Sequence, residues 1–176
     1  MFSKVVVGLV ICAGVLAGAA VAQQSSVSRT LPLRGTFHVV WHAASCPKGT
    51  PKLTPSGSFI PCYLNVGHGR ASGLGPATER YTLVVLNADT NCAKWSFKVV
   101  LTVLGKGTID AAALSKGCFA PGQTEGTVYF TVTGGTGAYR GATGKGTIHS
   151  GPPGTETGEG RGTGTDTWVG TLSVKG

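Results

Sequence analysis

Apolar and polar residues alternate with a period of two along much of this chain. The clearest examples are Trp95–Leu104 and Gly126–Thr133, in which every second residue is aromatic or branched and most of the residues between are polar. Successive side chains of a β-strand point to opposite faces, so this pattern predicts strands with one buried face.

The same pattern, with turn-forming residues between the runs, predicts eight strands rich in β-branched and aromatic residues. They are Gly35–Ala43, Phe59–Asn65, Arg80–Leu86, Trp95–Leu104, Gly107–Ala113, Gly126–Thr133, Gly146–Ser150 and Trp168–Val174. The glycine-rich stretch Gly67–Pro76 also alternates in a way that suits a pleated strand. No helix is predicted beyond the N-terminal segment.

Glycine-rich and proline-rich segments separate these strands. Ser45–Ser58 contains three prolines and Gly151–Gly164 is polar, so both are predicted to be loops, the second of them mobile. The 29 glycines of the chain suit the corners and bulges at which a curved sheet closes. Closure also removes exposed strand edges. We therefore expect an all-β fold, a single eight-stranded antiparallel barrel over residues 34–176.

Residues 1–22 have the pattern of a secretory signal peptide. Lys4 precedes an unbroken apolar run over residues 5–21, and a small-x-small motif ends at Ala22. An uncleaved anchor helix is the alternative, although the run is shorter than the roughly 20 residues that a membrane span needs. We expect export, cleavage after Ala22 and no stable membrane anchor afterwards, with residues 23–33 forming a flexible arm.

Cysteine usage agrees with export. Four cysteines follow the signal segment: Cys46, Cys62, Cys92 and Cys118. An even number in an oxidising compartment predicts two disulfides. Three pairings are possible, of which we expect Cys46–Cys62 and Cys92–Cys118, because neighbours in sequence often close local loops. Since no Cys-x-x-Cys pair is present, the spacing favours neither a metal site nor a redox pair.

Charge and composition exclude several functions. The net charge is +8, but the basic residues are scattered and form no adjacent run, which favours weak attraction to anionic surfaces such as wall polymers over nucleic-acid binding. The chain has no phosphate-binding loop motif at Gly144-Lys145, because Gly146 follows Lys145 where the motif requires Ser or Thr. His38 and His42 would lie about 13 Å apart on a strand, too far to share a metal. We expect no metal and no cofactor.

Charged residues at or near strands are the candidates for chemistry inside a barrel. They are Glu79, Arg80, Asp110 and Arg140. A member of this set that faced the interior could polarise a ligand, and its pKa would shift on burial. The alternative is that all of them point outward, since buried charge is rare. No Gly-x-Ser-x-Gly elbow indicates a serine hydrolase.

The segment Phe130–Gly144 resembles the glycine-rich hairpin of the allene oxide cyclase and dirigent barrel superfamily, above all its secreted bacterial members of unknown function. Thr167–Leu172 resembles the last strand of these proteins. The hairpin glycines are Gly134, Gly135, Gly137, Gly141 and Gly144. The resemblance implies an eight-stranded antiparallel barrel with a central cavity, and trimers by analogy with plant members. It carries over no catalytic residue, and the predicted disulfides and the segment Gly151–Gly164 depart from the plant pattern.

Three functions therefore remain open. The first is a secreted, disulfide-stabilised barrel that binds a small apolar or amphipathic ligand, or a surface partner, without catalysis. The second is a cyclase or isomerase that shapes a reactive substrate in the barrel lumen. The third is a cell-wall or carbohydrate-binding module that uses Trp41, Trp95 and Trp168 as stacking platforms, which requires these tryptophans to be exposed.

Overall fold

The computed structural model describes residues 28–53, 57, 60–86, 94–115, 125–151 and 160–175. Eight strands form one closed antiparallel barrel in which each strand pairs with its neighbours in sequence and the last pairs with the first. They are β1 (Ser28–Ala43), β2 (Cys62–Ala71), β3 (Gly75–Leu86), β4 (Lys94–Val103), β5 (Gly107–Leu114), β6 (Gly126–Gly135), β7 (Thr143–Ser150) and β8 (Arg161–Lys175). The predicted all-β barrel is confirmed.

The two ends of the barrel differ. One end is closed by the short turns at 72–74 and 104–106 and by the 3-10 helix Gly137–Tyr139, whose Tyr139 is buried. The other end carries the longer connections at 44–61, 87–93, 115–125 and 151–160; the structure describes part of the first, third and fourth of these and none of residues 87–93. Within the described ranges, no helix has the length and apolarity needed to cross a membrane.

Large inward side chains pack over glycines of neighbouring strands. Phe130 of β6 faces Gly146 of β7, which in turn faces Gly170 of β8. A Cβ atom at either glycine would come within 3 Å of the Phe130 ring (2.7 and 2.9 Å). A narrow eight-stranded barrel has room for few bulky side chains per layer. The glycine content of this chain therefore allows the interior to hold large aromatic residues.

A disulfide joins the 44–61 connection to the start of β2. Cys46 is bonded to Cys62, as predicted. Cys62 packs with Ile60 and Val84 in a small apolar cluster on the outside of the barrel, beneath this connection. The bond thus ties the connection to the barrel wall. The second expected pair, Cys92–Cys118, lies outside the described residues.

The prediction of a flexible arm was wrong for the part of it that the structure describes. Residues 28–33 are the beginning of β1, and Leu33 is fully buried. The reason is the length of β8, which extends far enough to pair Ser28 with Lys175. A polar sequence thus becomes strand because a long partner strand satisfies its backbone hydrogen bonds.

Two further boundaries were wrong. Gly67–Pro76 is not one strand, because the chain turns within it, between β2 and β3, where Gly73 and Gly75 have positive φ angles of 71° and 106°. The described end of the predicted loop Gly151–Gly164 is strand from Arg161 onward and pairs with β1. Both segments consist mainly of small and polar residues, so apolar alternation could indicate neither the turn between β2 and β3 nor the start of β8.

Candidate functional site

A group of polar side chains lies inside the otherwise apolar barrel. Asn65 of β2, Glu79 of β3 and Asp166 of β8 are buried, at 6%, 0% and 3% exposure. The strand register explains why they converge, because Glu79 faces inward with the other odd-numbered residues of β3, and Asp166 faces inward with the even-numbered residues of β8. Both carboxyl groups therefore lie within the lumen.

One oxygen of the Glu79 carboxyl group accepts a hydrogen bond, and the other meets no donor among the described residues. Trp168 Nε1 donates to Glu79 Oε2 at 2.6 Å. Within the described part of the chain, Glu79 Oε1 is buried without a hydrogen-bond partner. This oxygen lies over Gly67 of β2, where a Cβ atom would be only 2.6 Å away. Glycine at position 67 therefore makes the space that the carboxyl group occupies.

The environment of Glu79 favours its neutral form. Burial is the largest effect and raises the pKa of this carboxyl group well above its usual value, and the negative charge of Asp166 raises it further. The hydrogen bond from Trp168 acts in the opposite direction but is a smaller effect. A side-chain hydrogen bond between Glu79 and Asp166 raises the pKa further, so Asp166 is one acceptor for the proton that a neutral Glu79 carries.

Asp166 is the better hydrogen-bonded of the two carboxyl groups, because two hydroxyl groups donate to it. Tyr81 Oη donates to Asp166 Oδ2 at 2.6 Å, and Ser150 Oγ donates to Asp166 Oδ1 at 2.7 Å. Burial, and after it the charge of Asp166, raise the pKa of Tyr81, so its phenol remains a neutral donor. The Tyr81 ring is stacked on Phe97 with centroids 4.3 Å apart, which fixes its orientation.

Half-buried residues surround this cluster on the side of the longer connections. Trp41 and Tyr63 make an edge-to-face contact with centroids 5.6 Å apart. The side-chain amide of Asn65 donates to the backbone oxygen of Tyr63 at 2.9 Å. Leu83 and Val85 point to the same interior and pack against the core. These mouth residues, Trp41, Tyr63, Leu83 and Val85, form a partly exposed apolar rim above a polar floor.

The structure separates the four residues that the sequence suggested for chemistry. Glu79 alone points into the lumen. Arg80 is exposed on the outer wall because it follows Glu79 in the strand. Asp110 also faces outward, beside the bulge between β5 and β6, and Arg140 is exposed after the 3-10 helix. Arg80, Asp110 and Arg140 are therefore not lumen residues, in agreement with the outward alternative.

The residues that surround Glu79 in the lumen were not predicted from the sequence. Asp166 precedes Trp168 by two residues, and a strand beginning at Arg161 would have placed both on one face. Because the strand was predicted to begin at Trp168 and the loop to end at Gly164, Asp166 lay in no predicted element. Tyr81 and Ser150 were assigned to strands, but nothing in the sequence indicated that they face a common acid.

The three tryptophans are buried or half-buried in the barrel. Trp95 and Trp168 are buried, at 7% and 1% exposure, and Trp41 is half-buried, so none is a fully exposed stacking platform. Within the described ranges, no group of three or more His, Cys, Asp or Glu residues is placed to hold a metal ion.

Comparison with known proteins identifies the fold. No family model matches the chain, and neither does any curated protein. The structure of a pterocarpan synthase dirigent protein matches with a TM-score of 0.57 at 13% identity, over 86% of this chain and 93% of that one. A second such dirigent protein gives a TM-score of 0.51 at 10% identity, over 85% and 97%. A pyocyanin demethylase gives a TM-score of 0.41 at 12% identity, over 77% and 98%. The two dirigent structures show that this chain has the dirigent-type barrel fold.

Proposed function

We propose that this protein is an exported barrel that binds a small amphipathic ligand at the mouth and floor of its lumen. The apolar rim would contact the body of the ligand, and the polar floor would receive an oxygen-containing group. The observation that carries the proposal is the free oxygen of the Glu79 carboxyl group, which is buried and lacks a partner in the described structure. An unsatisfied buried polar atom is costly, and a ligand group would offset that cost.

The chemistry of the floor limits what can bind there. The neutral Glu79 offers a proton, so the matching group is a hydrogen-bond acceptor such as a carbonyl or ether oxygen. Each oxygen of Asp166 already accepts one hydroxyl hydrogen bond, from Tyr81 and from Ser150. The rim of Trp41 and Tyr63 favours a ligand with a flat or branched apolar body.

Mass spectrometry of small molecules retained by the purified exported protein tests the proposal. We expect an apolar compound with an acceptor oxygen in the wild type and in the outer-wall control Asp110→Asn. Glu79→Leu, which cannot donate, should lose it. An empty wild-type protein from its native secretion medium, or equal retention by Glu79→Leu, would refute ligand binding at this floor.

Catalysis of an isomerisation or cyclisation is the second candidate. Its support is the proximity of two buried carboxyl groups in different surroundings, of which Glu79 is held toward its neutral form, because such pairs divide acid and base roles in enzymes. The barrel fold is compatible with this, since two proteins that share it are pterocarpan synthases. Glu79→Gln keeps the hydrogen bonds but cannot transfer the acid proton. An enzyme should therefore retain a chemically different compound in Glu79→Gln than in the wild type, whereas a binding protein should retain the same one.

Export is part of the proposal. It is supported by the signal-like segment over residues 1–22 and by the Cys46–Cys62 disulfide, a type of bond that persists in oxidising compartments. N-terminal sequencing of the protein from culture medium should begin at Gln23. Recovery of the chain only inside cells, with Met1 still present, would contradict export.

A further inference from the structure

The outer wall of the barrel carries a basic groove that the lumen site does not use. Strands β1, β2 and β8 form an open groove of about 630 Å³ on this wall. Its side chains include Arg34, Thr36, His38, Arg70 and Thr167. None of the residues that line it is acidic, so it combines positive charge with hydroxyl groups.

The strand register brings the two arginines together. Thr36 lies directly opposite Arg70 on β2, and Arg34 is two residues from Thr36 on the same face. Diagonal neighbours of this kind lie about 7–8 Å apart, within reach of two long side chains. The backbone of Arg34 exchanges hydrogen bonds with Ser72, whose Oγ accepts from Arg34 N at 3.2 Å. Arg34 is thus fixed beside the turn that follows β2.

The positive charge of the groove is uncompensated in the described structure. No acidic side chain forms an ion pair with Arg34 or Arg70 in the part of the chain that the structure describes. The acids of the neighbouring strands, Glu79 and Asp166, are buried inside the barrel. The inward packing of these carboxyl groups therefore leaves the opposite surface of the same wall basic.

Further donors continue the groove along the wall. His38 and His68 face each other across β1 and β2, and both are exposed. His68 Nδ1 and Thr78 Oγ1 form a hydrogen bond of 3.2 Å, so the other ring nitrogen, Nε2, takes no part in this contact. Arg80 lies opposite Val66, two residues from His68 on the same face. From Arg34 to His38 alone the span is about 13 Å, longer than one tetrahedral anion can bridge.

We propose that this groove binds a linear polymer that carries repeated phosphate groups, with Arg34 and Arg70 clamping one phosphate and the histidines and Arg80 contacting the next. The guanidinium group of an arginine can donate two parallel hydrogen bonds to two oxygens of one phosphate. The length of the basic row favours a chain of anions over a single ion. The site lies outside the barrel and does not depend on ligand binding by Glu79.

Titration with linear inorganic polyphosphate at low ionic strength, followed by calorimetry, tests the groove. Arg34→Gln/Arg70→Gln should weaken binding at least tenfold. The matched pair Lys98→Gln/Lys145→Gln removes the same charge from exposed positions on β4 and β7 and should weaken it less than threefold. Equal losses of affinity in the two double variants would mean that only the net charge of the protein matters, and would overturn the proposal. Orthophosphate that binds the wild type as tightly as the polymer would overturn it as well.

A measurement on the wild type avoids any effect of substitution on folding. Phenylglyoxal modifies exposed arginines, and peptide mapping reports the extent at each one. Polyphosphate should protect Arg34 and Arg70 at least fivefold and leave Arg140, which is exposed on the turn after the 3-10 helix, unprotected. Equal protection of all three arginines, or of none, would contradict a defined groove.

Discussion

At the scale of single residues, the central feature is a buried carboxyl group, Glu79, whose neutral form the barrel favours. Burial and Asp166 raise the pKa of Glu79 above its value in the unfolded chain. The folded state therefore binds the Glu79 proton more tightly than the unfolded state does. The stability that depends on this proton is fully present below the unfolded pKa of Glu79, near 4.3, and is lost as the pH rises through the folded pKa.

Glu79→Gln tests this linkage because glutamine has the same shape and never ionises. We expect wild type and variant to melt within about 2 °C of each other at pH 4, where both side chains are neutral. The variant should melt several degrees higher at a pH well above neutrality, where the wild type must bury a charge. Asp110→Asn, on the outer wall, should change the melting profile little. Parallel profiles for wild type and Glu79→Gln would exclude a raised pKa.

Gly67 has a role that its sequence context does not reveal. A Cβ atom there would lie 2.6 Å from Glu79 Oε1 and 2.7 Å from Cγ. Gly67→Ala should therefore cost about 2 kcal/mol of unfolding free energy through overpacking. Gly164, which has nothing within 4 Å of the equivalent position, is the control, and Gly164→Ala should be close to neutral.

A double-mutant cycle separates this contact from a general effect on the strand. In a Glu79→Ala background the atoms that clash are absent, so the cost of Gly67→Ala should largely disappear. Urea unfolding of the four proteins measures the coupling. If Gly67→Ala costs the same in both backgrounds, the glycine does not serve to accommodate the carboxyl group.

At the scale of elements, predictions from alternation were reliable where one face is apolar and failed where small polar residues predominate. Trp95–Leu104 was predicted almost as it is found in β4 because large apolar residues mark its inner face. The ends of β1 and β8 were missed because they stabilise each other across the closure of the barrel. Such pairing between distant parts of the chain leaves no local pattern.

Leu33 tests whether the start of β1 is an integral part of the barrel. It is fully buried, within residues predicted from the sequence to be a flexible arm. Leu33→Ala should cost about 3 kcal/mol, as is usual for a buried leucine. Leu104→Ala, at a turn where the side chain is 77% exposed, should cost less than about 0.5 kcal/mol. Equal costs, measured by urea unfolding, would mean that this part of β1 does not contribute to the core.

The site was less predictable than the fold for the same reason. Glu79 could be suggested from a strand position, but its hydrogen-bond donor Trp168 and its neighbour Asp166 lie on β8, and the donors to Asp166 lie on β3 and β7. Their convergence follows only from barrel closure and register, through the pairing of Ser150 with Asp166. Residue types alone therefore indicated one acid among several and could not identify the cluster.

At the scale of the whole molecule, the Cys46–Cys62 disulfide secures the longest connection that the structure largely describes. The two cysteines are 16 residues apart in sequence. A loop of this length contributes about 3 kcal/mol on the chain-entropy model. Cys46→Ala should lose about that amount in thermal unfolding, and adding Cys62→Ala should change it little further. An unchanged melting temperature in Cys46→Ala would mean that the bond does not stabilise the barrel.

The proposed hydrogen-bond donor of the lumen requires that Glu79 stays neutral inside the closed barrel. Infrared difference spectroscopy at pH 7 tests it most directly, because a protonated carboxyl group has a C=O stretch distinct from that of carboxylates. We predict this band in the wild type and in Asp110→Asn, and its loss in Glu79→Gln. A wild-type spectrum without the band would show that Glu79 is ionised and would contradict the proposed hydrogen-bond donor of the lumen.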